Sequence, residues 1–167
     1  MLRILGILLL LSLTSCGFVE GVDDAKAAAA TFFDDRIKEG GPGADRFYSS
    51  HFIDSVDPEE WESIRRLVQK ANGDLRSYSL DTWRAQDKVQ TNGLSGMYVT
   101  LTYKTTYTNG EGEETLILFR NDDSPQYKVM YHHFNSESIN RLVKQGIDEA
   151  ASKPEAIKPI AVKGADK

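Results

Sequence analysis

The chain has 167 residues, 40% of them apolar, and a net charge of −5; that length supports one globular core and falls short of two. Twenty basic against 25 acidic side chains leave no basic surplus to meet phosphates, which argues against nucleic acid as a partner. One cysteine excludes an intrachain disulfide framework and a cysteine-based zinc cluster, and three histidines argue against a multi-histidine site, so neither metal nor cofactor is expected.

Arg3 opens the chain's first feature, an apolar run from Ile4 to Leu13 broken only by Gly6 and Ser12. That is the length of a secretory h-region and about half of a bilayer span. The run closes on Leu13, Thr14, Ser15 and Cys16. This segment resembles the lipobox of bacterial lipoproteins. The resemblance implies a signal peptide over residues 1–15, a diacylglyceryl thioether on Cys16, and a further acyl chain such as palmitate on the new amino group. The lipid bilayer is then the first partner, because two or three acyl chains hold a protein stably where one does not. In the sorting rule of such lipoproteins, Asp after the Cys retains the protein in the inner membrane. Gly17 stands here, which implies the outer membrane, facing the periplasm. The competing reading is an ordinary secretory peptide cut a few residues later.

Residues 16–22 are expected to form the lipidated Cys and a short tether, about 20 Å at full extension from Gly17 to Val22. A single domain is expected over 23–151, and residues 152–167, rich in Lys, Ala and Pro, read as a flexible tail. Asp23 or Asp24 caps a first helix in which Ala25, Ala29, Phe33 and Ile37 recur every four residues, with Phe32 widening the stripe. Gly40 and Gly41 stop it. Residues 44–53 read as a short irregular helix. Asp57, Pro58 and Glu60 start the next helix, whose face is Trp61, Ile64, Leu67 and Val68, and Gly73 ends it.

From Leu75 the period changes to two. Leu75–Arg84 is a first strand; Met97, Val99, Leu101, Tyr103 and Tyr107 alternate with polar residues in a second; Asn109–Gly110 turns into a third through Thr115, Ile117 and Phe119. After residues 121–125 comes a fourth strand with Val129, Tyr131 and Phe134. A last helix carries Ile139, Leu142, Val143 and Ile147. The expectation is an α+β fold: N-terminal helices packed on a bent four-stranded antiparallel sheet, followed by a C-terminal helix. The helix with Trp61, the Gly73–Tyr78 segment and the strands from Tyr98 to Phe134 resemble the cystatin-like and nuclear-transport-factor-two-like envelope domains, cone-shaped α+β proteins.

The chain carries no G-x-S-x-G elbow, no Gly-rich phosphate loop and no H-E-x-x-H. His132 and His133 are adjacent on a strand, so they point to opposite faces and share no metal. One of them is expected at the surface and the other packed at the sheet's end; for an acid or base inside the cone, His133, on the face of Val129 and Tyr131, is the better candidate. Trp83, Tyr103, Tyr107 and Tyr131, with His133 and Asp81, are the candidate lining of a concave pocket. Resemblance to the nuclear-transport-factor-two-like enzymes implies a small apolar ligand there, with Asp and Tyr for proton chemistry. The plainer reading fills the core with these aromatics and leaves Asp81 at an edge. Asp122 and Asp123, and Glu111, Glu113 and Glu114, read as solvated turns without the spacing of a calcium loop.

The function expected is a membrane-anchored, non-catalytic interaction or accessory module that docks on an envelope protein through the last helix or a strand edge. The alternatives are a carrier or sensor for a small apolar ligand and, third, a pocket enzyme.

Overall fold

The computed structural model of the chain describes residues 16–41, 43–86, 94–121 and 124–152. The expected signal peptide, the acidic pair Asp122–Asp123 and all but the first residue of the expected tail lie outside them.

The first helix, α1, runs Cys16–Glu39. It buries Val22, Ala25, Ala29, Phe32 and Phe33, a stripe at three- and four-residue spacing. Two expectations change here. Residues 17–22 are helical, not an extended tether, so each advances about 1.5 Å along the axis instead of about 3.5 Å. The stripe also ends on Arg36, which is 1% exposed, while Ile37 is 41% exposed. Gly21 permits the close approach: a β-carbon there would lie 2.6 Å from Met97 Sδ.

After a 3-10 turn at Asp45–Phe47, Tyr48 forms a parallel bridge with Val129. Ser49 then caps α2 (Ser50–Ser55), its side chain accepting from the Phe52 amide. Asp57 caps α3 (Pro58–Asn72) as expected: one carboxylate oxygen accepts from the amides of Glu59 and Glu60, each at 2.9 Å. Trp61 and Val68 are buried, but Ile64 remains exposed.

Four strands follow: β1 (Leu75–Gln86), β2 (Gly96–Tyr107), β3 (Gly110–Asn121) and β4 (Lys128–Ser136). They pair in the order β1-β2-β3-β4, all antiparallel. The last helix, α4 (Glu137–Ser152), packs on α3. The Ser136 hydroxyl joins the two, accepting from the Ile139 amide and donating to Asn72 Oδ1 at 2.7 Å. The α+β architecture is the one the alternation predicts.

Bulges, however, redirect the side chains. On β4, Val129 pairs with Leu118 while Tyr131 pairs with Ile117, so Met130 is extra. On β1, Leu80 pairs with Tyr103 and Thr82 with Thr102, so Asp81 is extra. The helix α1 crosses the inner face in the direction of β2, with Gly21 beside Met97 and Arg36 beside Tyr107. The sheet therefore has an end near the start of α1 and an opposite end at the β2–β3 hairpin.

Candidate functional site

Five side chains from five segments meet beneath the second half of α1. Arg36 comes from α1, Tyr48 from the bridge before α2, Tyr107 from β2, Glu114 from β3 and His132 from β4, and all are buried. Arg36 Nη1 donates to Glu114 Oε2 at 2.6 Å, and its Nη2 lies 3.3 Å from the Tyr107 hydroxyl. Tyr107 donates to Glu114 Oε1. His132 Nε2 lies 2.6 Å from Glu114 Oε2, and its Nδ1 is 2.8 Å from the Tyr48 hydroxyl.

The protons follow from charge. Glu114 and Arg36 already neutralise each other, so a second cation at His132 would leave a net buried charge. A neutral imidazole satisfies every partner: Nε2–H donates to Glu114, and Nδ1 accepts from Tyr48. Burial lowers the His132 pKa, outweighing the upward pull of Glu114. For Glu114, burial alone would raise the pKa; the Arg36 charge, with hydrogen bonds from His132 and Tyr107, reverses this and holds it at about 2. Burial raises the pKa of both Tyr48 and Tyr107, so both remain phenols. Rings seal the group: Phe32, Phe33 and Phe134 lie 5.3, 5.6 and 5.7 Å from the Arg36 guanidinium carbon.

Chemically, this group is spent. Both carboxylate oxygens and both imidazole nitrogens carry hydrogen bonds, and a general base needs a free atom within reach of its substrate. Of the five, Tyr48 lines a groove of about 320 Å³ together with His51, Phe119 and Lys128 among others, while its hydroxyl is committed to His132 Nδ1. The arrangement ties β2, β3 and β4 to α1 and to the bridge at Tyr48.

Its cover is a glycine turn. Arg36 Nε donates to the Gly41 carbonyl at 3.3 Å. Gly43 has φ +106°, and a β-carbon on it would lie 2.6 Å from Phe32 Cε2 and 3.3 Å from Arg36 Cδ. Gly43→Ala is expected to cost about 1–3 kcal/mol through backbone strain and displacement of the Phe32 ring. A chemical-denaturation midpoint equal to that of the unaltered protein would show that this turn does not hold the cluster.

The expected pocket residues do not assemble. Tyr103 and Tyr107 are core: the Tyr103 ring packs 4.6 Å from Phe33, and burial with the neighbouring Tyr78 lifts its pKa to about 12. Trp83 is 50% exposed at the β1 edge, with Lys26 Nζ 4.9 Å from its ring. Tyr131 and His133 lie on the outer face with their rings 6.4 Å apart, because the Met130 bulge reverses the alternation after Val129. The inward histidine is therefore His132, which corrects the expectation for His133. Asp81, in its own bulge, pairs with Lys104 at 2.7 Å.

Four members of the real cluster, Arg36, Tyr48, Glu114 and His132, lie outside that expected set, and Glu114 is buried and not in a solvated turn. The sequence carries a signal for two of them. Arg36 continues the three- and four-residue spacing of Ala29, Phe32 and Phe33, and Glu114 lies two residues before Leu116 and four before Leu118. A charged residue in phase with an apolar stripe on a helix, and another in phase on a strand, is the pattern of a buried ion pair.

Two larger grooves lie elsewhere. One of about 510 Å³ runs between α1 and the start of β4, lined by Ala28, Thr31, Phe32, Phe47, Tyr127 and Val129 among others. One of about 590 Å³ near the hairpin end is lined mainly by polar groups, including Ser77, Lys104, Glu113, Asn135 and Asn140. Among the described residues, no helix is long and apolar enough to cross a membrane, and no group of His, Cys, Asp and Glu is placed to hold a metal ion. Comparison of the chain with protein-family models, with curated proteins and with solved structures returned no match.

Proposed function

We propose that this chain is a lipid-anchored, non-catalytic interaction module of the bacterial envelope, held at the outer membrane through acylated Cys16 and facing the periplasm. The observation that carries the non-catalytic part is the filled interior. The face expected to hold a ligand is occupied by the satisfied Arg36–Glu114–His132 cluster and by Tyr103 and Tyr107. Function then falls to the outer surface. There β1 ends the sheet on one side, with Leu80 and Trp83 exposed on it, whereas β4 on the other side is bridged by Tyr48. Among the described residues β1 pairs with β2 alone, and such an edge beside two apolar side chains suits β-strand addition by an extended segment of a partner.

The test is native mass spectrometry of the full chain gently extracted from its own membrane. Chain plus lipid plus a second protein is expected, and the double variant Leu80→Ser/Trp83→Ala is expected to lose that second protein. Leu80 and Trp83 are 38% and 50% exposed and lie outside the core cluster, so the melting temperature should fall only modestly. A second reading, a carrier for a small apolar ligand, is favoured by the groove between α1 and β4, whose volume lies within the range of ligand sites. A retained small molecule in place of a protein would move the function to that groove.

A further inference from the structure

The first turn of α1 carries two apolar side chains that the fold only partly covers. Phe18 and Val19 are 39% and 55% exposed, whereas Gly21 and Val22 are buried. Gly, Phe and Val are poor helix formers, and a helical end with little packing is marginal in water. No acidic residue occupies this turn. Directly upstream are Cys16 and the apolar run Ile4–Leu13. On the anchoring reading, the chain's neighbour on that side is hydrocarbon.

We infer that Phe18 and Val19 enter the interfacial layer of a lipid bilayer, and that α1 fixes how the whole domain stands on it. This rests on the anchoring reading above. Large apolar side chains at a membrane surface contribute by the area they bury. Penetration stops after one turn, because Glu20, Asp23 and Asp24 come next and gain nothing from anionic headgroups. Asp23 and Asp24 are also held on the protein, by Lys26 at 3.1 Å and Arg120 at 3.3 Å.

Orientation follows from stiffness. Six residues after Cys16, Val22 is buried and Gly21 lies against Met97, so no swivel separates the anchor from the sheet. The sheet end carrying Met97 and Arg120 faces the membrane. The β2–β3 hairpin at Thr108–Asn109 faces away, at the far end of a helix about 36 Å long. The polar groove of Ser77, Lys104, Glu113, Asn135 and Asn140 is then presented to the periplasm.

The experiment uses the full chain matured in a bacterial host and reconstituted in phosphatidylethanolamine–phosphatidylglycerol vesicles bearing a photoactivatable diazirine phospholipid. After irradiation, tryptic peptides are mapped by mass. The peptide from Cys16 to Lys26 should carry most of the lipid adducts, many-fold more than that from Thr105 to Arg120, which holds the hairpin. Phe18→Ser/Val19→Ser should cut that yield several-fold with the Cys16 lipid still present. The same peptide's mass reports the anchor. A lipidated peptide with adduct yield no higher than the hairpin's, or unchanged by the serines, overturns this inference alone. An unlipidated peptide overturns the anchoring reading; adducts at Phe18 and Val19 would then still uphold the bilayer contact, and their absence would end both.

Discussion

Glu114→Ala is expected to remove about 3–5 kcal/mol of folding stability, because it leaves the Arg36 guanidinium buried with its charge unanswered. The loss has three parts. The 2.6 Å ion pair disappears, His132 and Tyr107 each lose an acceptor, and a void opens where the buried carboxylate stood. Marginal domains have little more than this to lose, so the variant should melt far below the parent or fail to accumulate folded. Arg36→Met/Glu114→Leu separates these contributions. It removes both charges, fills the volume, and is expected to recover most of the stability lost by Glu114→Ala. Chemical denaturation of the three chains measures all of this. A loss below about 1 kcal/mol for Glu114→Ala, the size of an exposed pair, would mean that water reaches the cluster.

Acid should unfold this protein in two overlapping stages. His132 has its pKa lowered by burial, so the unfolded chain takes up a proton near the ordinary value of 6.5 when the folded chain does not. Its contribution is full above 6.5 and is lost as the pH falls below that value. Glu114 is held at about 2 against an ordinary 4.5, so its contribution is full above 4.5 and disappears as the pH falls towards 2. From 4.5 to about 2 is a change worth about 3 kcal/mol at 1.36 kcal/mol per unit. The melting temperature, measured from pH 8 to pH 3, is thus expected to be flat above about 7 and to descend in both stages. His132→Gln can still donate to Glu114 and accept from Tyr48, and it should lose the upper stage while keeping the lower. A parent protein whose melting temperature does not change between pH 8 and pH 4 would refute the neutral-imidazole assignment.

The residues show why the architecture was readable and the cluster was not. Asp57 with Pro58, Asn109 with Gly110, and the alternation from Met97 to Tyr107 act over a few positions, so a linear reading places α3, the hairpin and β2. Which histidine enters the core depends on a long-range fact. Met130 has no partner across β3, and nothing in Val-Met-Tyr-His-His states that a bulge falls there. One extra residue exchanges the roles of His132 and His133. The same holds for Asp81, whose bulge sits in a strand with no local signal of its own. Arg36 and Glu114 were legible only as a pair, since each alone looks like a surface charge on a helix or beside a turn. The helix start was misplaced for a related reason: Asp23 and Asp24 make a plausible cap, but packing of Gly21 and Val22 on the sheet carries the helix back past them.

The fastening of α1 also decides how the molecule answers a pull. No backbone ladder joins this helix to the sheet; side chains hold it, with Asp24 on Arg120 near one end and Arg36 on Glu114 near the other. Tension applied at residue 16 runs along the helix axis and loads these fastenings together, in shear, instead of peeling them one after another. The buried clasp at Arg36 lies farthest from the point of attachment and shares the load with the rest. Machinery that hauls such a protein by its N-terminus must therefore dislodge the entire helix in one event, and short of that the domain travels intact.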